Sequence, residues 1–166
     1  MSRAIVEMLE RQFKTNWSEE SWAPPLQKAL DGVTSVQAAW VPPGGGNSIW
    51  QILNHLNYYN ERTLRRLNGE EPSSSMDTNT GTFGDPGNPA DEAGWAEAVQ
   101  RAHRLAERFL ASFAELTDAD LDKPFGDTTI GREIPLWILH DGHHTGQIVL
   151  LRKQQGSWPA TRESFG

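Results

Sequence analysis

At 166 residues the chain is long enough for one hydrophobic core and short for two, so a single domain spanning residues 1–166 is expected. With 15 Lys and Arg against 22 Asp and Glu, its formal charge of -7 argues against nucleic acid or an anionic membrane surface as a partner. The absence of cysteine removes disulfides and thiolate ligands, leaves histidine and carboxylate to bind any transition metal, and fits a cytoplasmic location.

The N-terminal stretch alternates charged and apolar residues at helical spacing, so neither a secretory signal nor a membrane span is expected there. Ser2 is placed to cap a first helix that ends near Asn16, with Ile5, Met8, Leu9 and Phe13 on its apolar side. In "SWAPPLQKALDG" the prolines suit a helix start and Gly32 its end, which predicts a short helix over about 25–30. One further turn fits "VTSVQAAW" before "VPPGGGN" breaks the chain. A second long helix begins at "NSIWQILNHLNYYNERTLRRLNGE", with Asn47 or Ser48 as cap, Gln51 in capping-box position and Gly69 at the end. Then "EEPSSSMDTNTGTFGDPGNPA" has no periodicity and reads as a long loop, of the kind that crosses a bundle or lines a site. About 20 such residues reach about 65 Å, roughly twice the length of a 20-residue helix, so the helices it joins can run parallel. A third long helix over 91–116 carries Trp95, Val99, Ala102, Ala106, Phe109, Leu110 and Phe113 on one side. After turn residues, a final helix runs from about 132 to 155 and stops at Gly156. Strand signals are nearly absent, and an all-α four-helix bundle with a long crossover between helices two and three is the economical fold.

Of five histidines, three fall within five positions of the last helix, His140, His143 and His144. At about 100° per residue, Leu136, His144, Gln147 and Leu151 lie within about 40° of His140, and Trp137 within about 60°. His140 and His144 therefore share the apolar stripe, and His143 lies on its flank. Their four-residue spacing stacks two rings a turn apart, where both can reach one ion at about 2.0–2.1 Å. A buried imidazole without partners costs on the order of 1–3 kcal/mol, so either a metal or a side-chain network must satisfy the pair. The zinc protease signature H-E-x-x-H has the same spacing, with Asp141 where that signature places its general-base glutamate. The match is poor, because aspartate is a methylene shorter and Glu163 is the only acid downstream of His144. The paired Glu-x-x-His motifs of a carboxylate-bridged diiron bundle do not occur. A third imidazole would come from His55 or His103, and periodicity does not choose between them.

"NSIWQILNHLNYYNERTL" together with "LHDGHHTGQIVLLRKQQGSWP" resembles the DinB superfamily, in particular its DinB-like and YfiT-like metal-dependent enzymes. The resemblance covers nearly the whole chain: a histidine early in the second long helix, the long loop, then H-x-x-x-H followed by G-Q-I. It implies a bundle with crossover connections and His55, His140 and His144 as metal ligands, with His143 a neighbour. A homodimer is implied as well.

Other residues have supporting roles in this reading. Gln147, one turn past His144, is placed to hydrogen-bond a bound water or ligand, or to satisfy helix and core groups. Asp141 and Asn54 are candidates to orient histidines, Tyr58 and Tyr59 to border the site, and Gly146 to permit close helix packing. Most of the seven tryptophans are expected as core or loop anchors.

Three neutral imidazoles leave a divalent ion its full charge and an open position, the layout of a catalytic site, since structural zinc is usually closed by four protein ligands. Zinc or nickel is expected, with iron or manganese as alternatives. Such an ion activates water or deprotonates a thiol. Superfamily members that this chain resembles transfer low-molecular-weight thiols to electrophiles, so the leading expectation is a metal-dependent thiol transferase acting on a small-molecule substrate. Loop 70–90 would help form its pocket. The alternatives are a hydrolase with metal-bound hydroxide as nucleophile, for which no general base can be nominated, and a non-catalytic, stress-related metal or ligand binding protein.

Overall fold

Buried apolar side chains recur at helical spacing in four stretches, and each forms a long helix in the computed structural model, which describes residues 2–72 and 75–159. Glu163 lies outside the described residues. The long helices are α1 (Ala4–Trp17), α4 (Ile49–Leu67), α5 (Glu92–Glu115) and α6 (Ile130–Gln154). Two short helices, α2 (Leu26–Leu30) and α3 (Ser35–Ala38), connect α1 to α4. A two-residue hairpin, β1 (Pro124–Phe125) with β2 (Thr128–Thr129), precedes α6. It is a local element that periodicity did not indicate, too short to show alternation. Among the described residues, no helix is long and apolar enough to cross a membrane.

The start of α4 is fixed by a capping box: Ser48 Oγ accepts from Gln51 N at 3.1 Å, and Gln51 Oε1 accepts from Ser48 N at 3.0 Å. Helix directions follow from residue pairs. Trp50 meets Trp95, Asn57 donates to Ala98 O, Glu61 pairs with Arg101, and Ser112 donates to Asn68. Both numberings rise together, so α4 and α5 run parallel. Between α4 and α6, His55 meets His140 while Asn60 meets Trp137, so that pair is antiparallel.

Parallel α4 and α5 require the chain to travel back along α4 before α5 can begin, and the loop does so stitched to it. Tyr59 donates to Asn79 Oδ1, Asn54 to Phe83 O, Gln51 to Gly84 O and Ser48 Oγ to Pro86 O. A single turn of 3₁₀ helix, Thr80–Phe83, sits in the middle of this path. Gly87 closes it, with φ of +99° and its Cα so near the Trp50 ring that a Cβ would lie 2.5 Å from it.

The core has two apolar clusters. One gathers Val6, Leu9, Phe13, Leu64, Phe109 and Trp137 among others, and the second gathers Leu26, Ile49, Leu53, Leu56, Trp95 and Ile148. Between them on α4 and α6 lie the buried polar residues His55, Asn57, Asn60, Asp141, His144 and Thr145.

Several sequence expectations are corrected. Ile5 and Met8 are half exposed, because α1 turns Val6, Leu9 and Phe13 inward and leaves those two on the shoulder. Leu136 is 59% exposed, since α6 buries the side centred on Trp137, Asp141 and His144. A Cβ on Gly146 would meet nothing within 4 Å, so no helix packs closely there; at Gly142 it would lie 3.3 Å from Asn16 Oδ1. Of the tryptophans, Trp22 is exposed.

Gly87→Ala is expected to lower stability by about 1–3 kcal/mol, since it combines a left-handed backbone with a clash against a packed ring. The denaturant midpoint measures this, and loss of Trp50 fluorescence environment should accompany it.

Candidate metal centre

The three imidazoles reach one point from two antiparallel helices. His55 projects from the second turn of α4, and His140 and His144 from successive turns of α6. Each offers one ring nitrogen, and these atoms all lie within 4.8 Å of one another, an arrangement that could hold a metal ion. His55 Nε2 and His140 Nε2 are 3.0 Å apart. Two ligands about 2.0–2.1 Å from one ion, at roughly right or tetrahedral angles, stand about 3 Å from each other.

The other nitrogens of these rings are engaged. Thr82 Oγ1 donates its proton to Asn79 O at 2.5 Å, so toward His55 Nδ1, at 2.6 Å, it can only accept. His55 therefore carries its proton on Nδ1 and presents a lone pair at Nε2. His140 Nδ1 lies 3.2 Å from Asp141 Oδ1 and His144 Nδ1 lies 2.7 Å from Gln147 Oε1, both acceptors. With Asp141 ionised, all three rings are set in one tautomer, with Nε2 left as an acceptor. Two of those acceptors face each other across 3.0 Å with no donor between them, a repulsive contact that a cation relieves.

Burial favours the neutral form of His55 and His144. His55 is 2% exposed, and burial, assisted by His144 and His140, pushes its pKa down to about 4. His144 is lowered too, chiefly by burial. Burial raises the Asp141 carboxyl, while its bonds to His140 and Asn60 pull it down. Neutral imidazole is the form that coordinates metal.

Residues around the histidines divide into those the sequence singled out and those it did not. Asp141 and Gln147 each hold a histidine, while Asn54 instead fastens the loop through Phe83 O. Tyr59 meets His55 and His140 edge-on, and Tyr58 points to a neighbouring hollow. His143 is exposed and bonds Gln147 Nε2. His103 lies against Trp17 and lines a different cavity of about 540 Å³, apart from the cluster. Thr82 and Phe83 had no periodic signal. Phe83 stacks on His55 with centroids 4.0 Å apart and planes 12° from parallel. The lone aromatic of a polar loop was the available hint. Asn60 was also missed, and it accepts from Trp137 Nε1 at 2.7 Å in the layer beneath.

The histidines open onto a cavity of about 480 Å³ whose walls include Tyr59, Phe83, Phe125, Leu136, Arg66 and Glu133. That volume suits a small organic molecule.

A sequence profile of the DinB superfamily matches residues 20–148, which include all three clustered histidines. The chain belongs to the DinB superfamily. The match spans most of the chain, from before α2 to well into α6, and agrees with the helical fold. No curated protein matches this DinB-superfamily chain with significance.

In the metal-free protein, the His55 ring is expected to stay neutral as pH falls until about 4, against an ordinary 6.5. The denatured chain takes up that proton near 6.5, so the His55 contribution to stability is intact above that pH and lost as pH falls toward 4. Imidazole nitrogen shifts followed by NMR across this range check the titration directly.

Proposed function

We propose that this DinB-superfamily protein is a metal-dependent enzyme in which His55, His140 and His144 hold a divalent transition metal, zinc or nickel first among them, with iron and manganese as alternatives. The observation that carries this is the pair of facing Nε2 acceptors, each ring fixed in that tautomer by a partner at Nδ1. Nature's structural zinc sites close with four protein ligands, and among the described residues the group contains three. The chemistry such an ion supplies is Lewis acidity, which lowers the pKa of a thiol or water placed beside it.

The favoured reaction is transfer of a low-molecular-weight thiol to an electrophilic small molecule. The chain has no cysteine, so the sulfur comes from a substrate. The cavity walls support the thiol over water. Among the described residues Glu133 is the only carboxylate lining the cavity, and it precedes His140 by about two turns, roughly 10 Å along α6, beyond hydrogen-bond reach of the cluster. Hydrolysis asks for a general base to take the proton of water, whereas a thiol with an ordinary pKa of about 8.5 ionises with far less help. Phe83, Phe125, Leu136 and Trp137 exclude water from the approaching electrophile, and Tyr59 borders the histidines. In the reaction a sulfur lone pair forms the new C–S bond, the leaving group departs with its electron pair, and the thiol proton passes to solvent.

Elemental analysis is expected to give close to one ion per chain, with the ion lost in the His55→Ala, His140→Ala double variant and retained in His103→Ala. The metal-loaded protein, given a panel of thiols and an aryl halide, should form thioether, and His144→Ala should not. Ester or amide turnover without thiol would replace this reading by a hydrolase, and silence in every assay would leave a binding protein.

Thr82→Val keeps the shape of the side chain but removes the acceptor for His55 Nδ1–H. Metal affinity should fall about 10–100-fold, as for other partners that orient a ligand, with the melting temperature of the metal-free protein little changed. Competition against a calibrated chelator gives the number.

A further inference from the structure

Arg66 differs from the other cations of its region. Arg65 lies 3.9 Å from Glu61, and Arg101 also pairs with Glu61. Among the described residues no carboxylate lies within ion-pair distance of Arg66, whose half-buried guanidinium sits over the Phe125 ring, 5.8 Å from its centroid. In a chain with 22 acidic and 15 basic side chains, a partly desolvated arginine without a carboxylate is a group whose strongest interaction is still to be made.

Its position says what would make it. Arg66 borders two hollows, the histidine cavity and a chamber of about 210 Å³. Tyr59, Thr63 and Asn79 line both as well, so the two are neighbours across a shared wall. Arg62 also lines the chamber, and among the described residues no acidic side chain does; Glu133 borders the histidine cavity and not the chamber. His55, Tyr59, Thr63 and Arg66 follow one another on one face of α4. Eleven residues at about 1.5 Å put the Arg66 Cα about 16 Å beyond that of His55, and helical side chains lean toward the N-terminus, which brings the guanidinium back toward the histidines.

We propose that Arg66, with Arg62 one turn before it, forms an anion subsite that holds the carboxylate of an elongated small molecule whose other end reaches His55, His140 and His144. This rests on the histidine cluster being a metal centre and is independent of whether the reaction is thiol transfer. The planar fork of Arg66 suits a carboxylate held by two parallel hydrogen bonds. Arg62 adds charge, and Asn79 and Thr63 offer further polar atoms at the wall between the two hollows.

The test is calorimetric titration of the zinc-loaded protein with the monohydroxamate of octanedioic acid and with the same compound ending in a primary amide. The hydroxamate seeks the metal, and only one of the two compounds carries a carboxylate at its far end. The acid is expected to bind about tenfold tighter than the amide, by a margin that shrinks as salt rises. Arg66→Met should erase the preference by weakening the acid alone, and Arg66→Lys should keep part of it. Circular dichroism checks that the variants fold, and Arg66→Gln takes the place of the methionine variant should that one fail. Equal binding of acid and amide by the unaltered protein, or a preference that survives in Arg66→Met, would overturn the subsite while leaving the metal centre standing. Failure of both compounds to bind the zinc-loaded protein would overturn the metal centre and the subsite together.

Discussion

Two imidazole nitrogens held face to face across 3.0 Å in the interior of a helical bundle are the constraint around which this protein is built. Such a contact persists only where the surrounding structure fixes both rings, and the polar layer between the two apolar clusters does this. Asn57 donates to Ala98 O, Thr145 to Asp141 O, Asn16 to Ile138 O and Trp137 to Asn60. Each unsatisfied group in that layer would cost about 1–3 kcal/mol; the Trp137–Asn60 bond ties α6 to α4, while Asn57 ties α4 to α5 and Asn16 ties α1 to α6. Sliding α6 by one turn along α4 would break the Trp137–Asn60 bond and separate His55 from His140.

The same constraint explains the crossover. A site built from α4 and α6 alone has histidines on one wall and nothing to set the His55 tautomer. Running α5 parallel to α4 obliges the connecting segment to return along α4, and this brings Thr82 and Phe83 onto the His55 ring. The topology therefore supplies two contacts that no tight turn between antiparallel helices could reach. Gly87 and the Ser48 cap sit where the loop ends beside the start of α4, so the geometry of the metal centre depends on packing around Trp50 as well as on the histidines themselves.

Local chemistry was the most legible part of the sequence. The Ser48 and Gln51 box, the long loop and the parallel helix pair follow from spacing and chain reach. The H-x-x-x-H pair follows from helical period, and the choice of His55 over His103 did not, because His55 sits off the centre of the α4 stripe, where it meets the crossover loop and the α6 histidines at the edge of a cavity. For the same reason the wheel for α6 put Leu136 in the stripe. A helix wheel assumes one buried face, whereas α6 buries one side against the bundle and gives the next to an open cavity. Thr82, Phe83 and Asn60 were hidden for different reasons: loop residues carry no period, and a buried asparagine is indistinguishable in sequence from an exposed one. Gly146 and Gly142 are equally small, and only the position of Asn16 shows which of them admits a neighbour.

Charge gives the arrangement its direction. The chain carries a formal charge of -7, yet the three candidate ligands are imidazoles, and among the described residues the buried Asp141 is the one carboxylate bonded to them. An ion held there by imidazoles alone would keep its positive charge nearly unneutralised, and Arg66 lines the same cavity, where Glu133 is the one acidic side chain among the described residues. With an ion bound, the hollow would be positively biased within a chain of net negative charge. Such a chain repels anions in general, whereas the hollow would attract those small enough to enter. In the proposed metal centre, neutral ligands that leave the ion cationic would serve recognition as much as chemistry: replacing one imidazole by a carboxylate would hold the ion more tightly and weaken its pull on an anion.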